Sequence, residues 1–212
     1  MLKTIVGGLL LANLTRVTTW PPALVFIGVG TILVLLPARY TLIPAGHEFA
    51  TVIFGFVIPI ATALIVGLPQ YRRYERKAAF GLAMLTSVIT VTYLCSLLNH
   101  LVHDGPSLNG NSLLHGSISV WVCIVGTFSL WYWLMGTTGR IDFLFPQRGS
   151  PDFPDWHPKF IDYFAIAFST STAFSATDVA PATSRAKVLM MLQSALSLII
   201  VLVAAARAIN IL

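Results

Sequence analysis

The sequence predicts an all-α membrane protein with about five transmembrane helices and one short helix that enters the bilayer without crossing it. Three observations carry this. Of 212 residues, 56% are hydrophobic and only 10% charged, too little charge to clothe a soluble domain. The apolar residues fall in continuous runs rather than in alternation, which favours helices over strands. One apolar stretch, "FIDYFAIAFSTSTAF" (160–174), is too short to cross about 30 Å of hydrocarbon.

Residues 1–20 contain an apolar run of roughly ten residues with Lys3 near its start, and no small-residue cleavage pattern follows. The expectation is an interfacial helix. Residues 21–104 are read as a three-span region. The spans are 21–37, a short one; 48–68, kinked at Pro59; and 77–102. Residues 105–212 form a second unit: a span at 113–136, the Pro-, Gly- and Asp-rich linker "TTGRIDFLFPQRGSPDFPDWHPK" (137–159), the short helix, a polar segment, and a last span from 184 onward. With "YRRYERK" (71–77) in the cytoplasm, eleven of the thirteen Lys and Arg lie on that side, leaving only Arg39 and Arg207 opposite. This is a strong positive-inside bias. It accounts for the net charge of +5 without nucleic acid as a partner.

The polar segment "STSTAFSATDVAP" (169–181) carries the functional expectation. Irregular backbone at membrane depth is tolerated only against protein or water, so a half-length helix ending in hydroxyls reads as a re-entrant loop beside a wet cavity. Trp156, His157 and Pro158 announce the helix start, and Asp162 complements its positive end. Thr172, Ser175, Thr177 and Asp178 are the candidate ion pathway. Hydroxyls hydrate or ligate a cation, and a ring of acids at a pore mouth selects for cations. Asp178 has a structural alternative as a cap for the last helix.

Residues 163–212 resemble the pore helix, filter and inner helix of potassium channels. The shared landmarks are the Ser/Thr-rich helix end, Asp178, Pro181 and Thr183, then Arg185 opening a long helix. The chain more closely resembles a family of uncharacterised bacterial membrane proteins that share "LWYW" (130–133), "DFLFPQ" (142–147), "TAFSATD" (172–178) and "ARAINIL" (206–212). The resemblance implies a potassium-channel-like module in residues 105–212, a homotetramer, monovalent cations as permeant partners, and a multi-pass location in the bacterial inner membrane. One departure limits it. Ser175, Ala176 and Thr177 stand where the channels have glycines, and each Cβ disfavours the left-handed backbone of a carbonyl ladder by about 1–2 kcal/mol. Weak or non-potassium selectivity is therefore expected. Orientation departs too, since the charge count puts this loop on the cytoplasmic side. The alternatives are a non-conducting scaffold that keeps the pore-loop fold, and a metal-handling protein using His47, His100, His103 and His115 near one membrane face. No tight metal motif accompanies these histidines, and no cofactor or enzymatic constellation is expected.

Two further groups invite a reading. Thr86, Thr90, Tyr93 and Ser96 form a polar stripe on the third span, read as helix–helix glue, with a water-filled path as the alternative. The aromatics Trp131, Tyr132 and Trp133 are read as an interfacial belt. Cys95 and Cys123 are read as packing residues rather than a disulfide.

Overall fold

In the computed structural model, which describes residues 74–103, 110–172 and 178–209, four helices pack with one two-residue ribbon. Helix α1 spans Glu75–His103, α2 Gly110–Gly136, α3 Phe160–Ser171 and α4 Ser184–Ile209. Strands β1 (Phe143–Leu144) and β2 (Ala180–Pro181) pair antiparallel, Phe143 with Pro181 and Leu144 with Ala180. The interfacial helix at 1–20 and the spans at 21–37 and 48–68, with Pro59, lie outside the described residues.

Three of these helices, α1, α2 and α4, are long and apolar enough to cross a membrane. Helix α2 is the central one. Its apolar window is 72% buried within the chain, against 28% for α1 and 17% for α4. Each flanking helix therefore offers one stripe to α2 and leaves the rest for lipid or other chain segments. In α1 the stripe is Ala79, Leu82, Ala83, Thr86, Thr90, Leu94 and Leu97, the three- and four-residue spacing of a single helix face.

Helices α1 and α2 are antiparallel. Phe80 stacks edge-on against Trp131 at 5.5 Å, Trp131 Nε1 donates to Ser87 Oγ at 2.9 Å, and Thr90 and Thr127 share a hydrogen bond of 2.8 Å. Thr86 turns back to the Ala83 carbonyl at 2.8 Å. Of the polar stripe, Thr90 bonds across to α2 as the glue reading expects, whereas Thr86 bonds within α1 and the buried Tyr93 Oη and Ser96 Oγ have no hydrogen-bond partner among the described residues. The cysteines are both free. Cys123 is in the core and Cys95 is exposed on α1.

The "WYW" group is not an interfacial belt. Tyr132 is fully buried, Trp133 is buried and Trp131 half-buried. The reason is the position of α2. A central helix has neighbours on most of its circumference, so consecutive aromatics turn into protein rather than toward headgroups.

Candidate functional site

Helix α3 is 12 residues long, about 18 Å at 1.5 Å per residue, shorter than the roughly 30 Å of a bilayer's hydrocarbon. Its start is fixed locally. The Lys159 N–H donates to the Asp162 carboxylate at 2.6 Å, satisfying one of the orphan donors of the first turn and setting a negative charge at the positive end of the dipole. Pro158 lies just ahead of Lys159, so the chain enters the helix extended. Tyr163, Ile166, Ala167 and Ser171 form the buried face.

Contacts set its direction. Phe160 stacks on Trp133 near the end of α2, at 6.2 Å. Eleven residues later, the Ser171 carbonyl accepts from Trp121 Nε1 at 3.2 Å, and Trp121 lies in the other half of α2. Helix α3 therefore runs antiparallel to α2 and into the bundle. By Ala180 the chain is paired with Leu144 again, at the end of the bundle where α2 finishes. Departure and return share one end.

Two polar clusters hold this arrangement. The first is deep. Gln193 of α4, fully buried, donates from Nε2 to the Ala167 carbonyl at 2.6 Å and to Ser171 Oγ at 2.7 Å. Its Oε1 accepts from the Tyr132 hydroxyl of α2. Gln193 sits about 14 Å down the axis of α4 from Ser184, at 1.5 Å per residue. The second cluster is at the end of the bundle. Asp142, 1% exposed, accepts from Thr183 Oγ1 at 2.6 Å and from Arg185 Nε at 2.7 Å, and pairs with Arg185 Nη2. Arg185 also donates to Thr138 Oγ1 at 3.0 Å, and the Ala182 N–H donates to the Asp142 carbonyl at 2.8 Å. Burial alone pushes the Asp142 carboxyl up. The hydrogen bonds from Arg185 and Thr183, with the charges of Arg185 and Arg140, outweigh it and hold the group below the usual carboxylate range.

Between the clusters lies an aromatic wedge. Phe143 stacks on Tyr132 at 5.1 Å and on Tyr163 at 6.1 Å, and Phe145 on Tyr163 at 5.6 Å and Trp156 at 5.3 Å. Phe143 and Phe145 alternate with Leu144, which is 54% exposed, so both rings point in, and Asp142, just ahead of the strand, is buried as well.

The candidate pathway residues fall as follows. Thr172 follows α3 directly, and its hydroxyl turns back to the Phe168 and Ser169 carbonyls, both at 3.1 Å. Ser175 and Thr177 lie outside the described residues. Asp178 is exposed, two residues before β2. Thr172 is thus at the inner end of α3 and Asp178 at the ribbon, with no hydrogen bond between them. Asp178 does not cap α4. Thr183 takes that place, its Oγ1 accepting from the Ala186 N–H at 3.4 Å. Of the histidines, His47 lies outside the described residues, His100 and His103 are in the last turn of α1, and His115 is exposed in α2. Among the described residues, no three His, Cys, Asp or Glu side chains gather as a metal site.

Sequence reasoning passed over Gln193 and the partners of Asp142. For Gln193 a signal existed, since it is the lone amide in an apolar 26-residue helix and buried polar groups in spans are expensive. Comparison with protein-family models, curated proteins and solved structures gives no match, so the reading of this site rests on its geometry.

Proposed function

We propose that α2, α3 and α4 form a pore-loop module in which α3 is a re-entrant half-helix, and that the protein is a homotetrameric cation channel of the bacterial inner membrane with weak or non-potassium selectivity. The observation that carries this reading is that the chain enters the bundle at Phe160 and is back at the same end by Ala180, while the C-terminal turn of α3 is held at depth by Trp121 and Gln193. A half-helix ending inside a bundle directs the negative end of its dipole at an interior space, and that favours a cation there. Helix α4 supports the tetramer. It buries Ala186, Gln193, Ser197, Ile200 and Val203 within the chain, with Leu189, Met190 and Leu196 partly buried beside them, and leaves its other face to lipid, other chain segments or neighbouring subunits.

The test is flux. Protein reconstituted in liposomes is expected to pass monovalent cations, with a reversal potential that discriminates poorly between potassium and sodium. Asp178→Asn is expected to lower cation conductance by about 2- to 10-fold, more at low salt, because four acids at a pore mouth raise local cation concentration. A folded, conducting variant with unchanged conductance removes Asp178 from the pathway. Wild-type liposomes that pass no more cation than empty ones overturn the channel reading in favour of a scaffold.

Orientation has its own test. Arg76, Lys77, Arg140, Arg148, Lys159, Arg185 and Lys187 all lie toward the end of the bundle where α3 enters, which the positive-inside rule assigns to the cytoplasm. In a cysteine-free background, Arg148→Cys is expected to resist an impermeant thiol reagent in intact cells and to react after permeabilisation. Reaction in intact cells would reverse the topology.

A further inference from the structure

We infer that Gln193 is a positioning residue, a latch through which α4 sets the depth and order of the inner end of α3. The inference deepens the pore-loop reading and rests on it for its functional consequence, but its geometry stands independently. Gln193 is the point at which three helices meet through polar groups. Both hydrogens of its amide are committed to the last turns of α3, one to the Ala167 carbonyl and one to the Ser171 hydroxyl. Its oxygen is committed to Tyr132 of α2. The Ala167 carbonyl, which can only accept, fixes which way the amide faces: the Nε2 side must point at α3, since a flipped amide would set Oε1 against that carbonyl, and the Tyr132 hydroxyl then donates to Oε1. Trp121 Nε1 holds the same turn from the α2 side, on the Ser171 carbonyl. The inner end of α3 is therefore clamped between two helices by four side chains, all from spans or from α3 itself.

Its apolar surroundings make the latch decisive. In a membrane-buried seam an amide has no bulk water to fall back on, so breaking it leaves Ser171 and Ala167 without their partner. A shift of α4 along or about its axis must carry the end of α3 with it or lose both bonds together. Thr172, the first candidate pathway residue, is the next residue in the chain. The latch thus links any motion of α4 to the position of the pathway's inner edge, which a shape-filling Leu at 193 could not do.

The experiment places a reporter at Thr172→Cys in a background with Cys95→Ser and Cys123→Ser, in proteoliposomes. The rate of thiol modification is the readout, with thermal stability measured on the same samples. Gln193→Leu is expected to raise the modification rate by about 5- to 30-fold, the factor expected when one or two buried hydrogen bonds are removed from a local opening equilibrium. Tyr132→Phe, which leaves Oε1 without its donor and so loosens the seat of the amide while keeping both bonds to α3, is expected to give a smaller rise. Ile200→Val, on the same stripe of α4 but away from α3, is expected to leave the rate unchanged even though it removes a core methyl. A folded Gln193→Leu protein with a rate within about 2-fold of the parent overturns the latch, as does an equal rise in Ile200→Val, which would mark general loosening. If Gln193→Leu does not fold, Tyr132→Phe decides: a raised rate supports the latch and an unchanged one overturns it. Labelling requires no conduction, so a raised rate in a protein that passes no cations upholds the latch and fells only the channel.

Discussion

Arg185→Ala is expected to destabilise the protein by about 3–5 kcal/mol, the range for leaving a buried charge without its partner, and to do so more than Asp142→Ala. The asymmetry follows from burial. The Arg185 side chain is 41% exposed and that of Asp142 is not exposed at all. Without Asp142, the guanidinium swings toward water or headgroups and still has Thr138 to donate to, so about 2–4 kcal/mol is expected. Without Arg185, the carboxylate stays in place with only the Thr183 hydroxyl to satisfy it. Detergent-solubilised protein unfolded by heat, with tryptophan fluorescence as the signal, measures both.

The pH dependence of the wild type and of Arg185→Ala should differ between pH 7 and 5. In the wild type the Asp142 carboxyl is held below its ordinary range. It therefore contributes stability that is fully present above the unfolded pKa of about 3.9 and is lost only as the pH falls through the lower folded value. Between pH 7 and 5 this group leaves wild-type stability flat. In Arg185→Ala burial is no longer offset by the guanidinium, and the folded pKa rises above the unfolded one. Stability then increases as the pH falls toward 5, because protonation removes a buried, unpaired charge. A variant whose stability is as flat as that of the wild type over this window would show that the pair is not what holds Asp142.

What the sequence made legible, and what it did not, divides along the range of the interactions. The spans at 77–102 and 113–136 and the last span from 184 needed only continuous apolar length, and they appear as α1, α2 and α4 with ends moved by a few residues. The short helix was legible because its start signals are local: Pro158, and Asp162 three residues after the cap. Its described part ends at Ser171, with the Thr172 N–H and hydroxyl both bonded back to the Phe168 carbonyl, and residues 173 and 174 of the expected helix lie outside the described residues. Burial was harder to read. The aromatics at 131–133 look like a belt in any scan of one helix, and only the central place of α2 turns them inward. The pairing of Asp142 with Arg185 bridges 43 residues. Nothing in the local pattern at either position announces it, because the linker that joins them is ordered by Phe143 and Phe145 packing on α2 and α3 rather than by turn chemistry alone.

That packing bears hardest on Gly136. A Cβ added there would lie 1.9 Å from the Tyr163 Oη and 2.5 Å from its Cζ, far inside contact distance. Gly136 closes α2 and Tyr163 is 4% exposed in the first half of α3, so the missing side chain makes room for the hydroxyl end of a phenol ring at the end of the central helix. The ring cannot retreat, since Phe143 and Phe145 stack against it. Gly136→Ala is therefore expected to cost about 2–4 kcal/mol, at or just above the usual range for overpacking a well-filled core. Helix propensity alone predicts the opposite, because alanine is favoured over glycine by up to about 1 kcal/mol inside a helix. The two effects separate in a double mutant. Tyr163→Ala is expected to lose about 3–5 kcal/mol by itself, as buried aromatics do. Adding Gly136→Ala to it should then cost nothing or restore a few tenths of a kcal/mol, since the obstructing ring is gone and only the propensity term remains. Thermal unfolding of the four proteins in one detergent gives the coupling directly. Equal costs for Gly136→Ala in both backgrounds would mean that the ring is not what the glycine accommodates, and that α3 is not seated against the end of α2 as described.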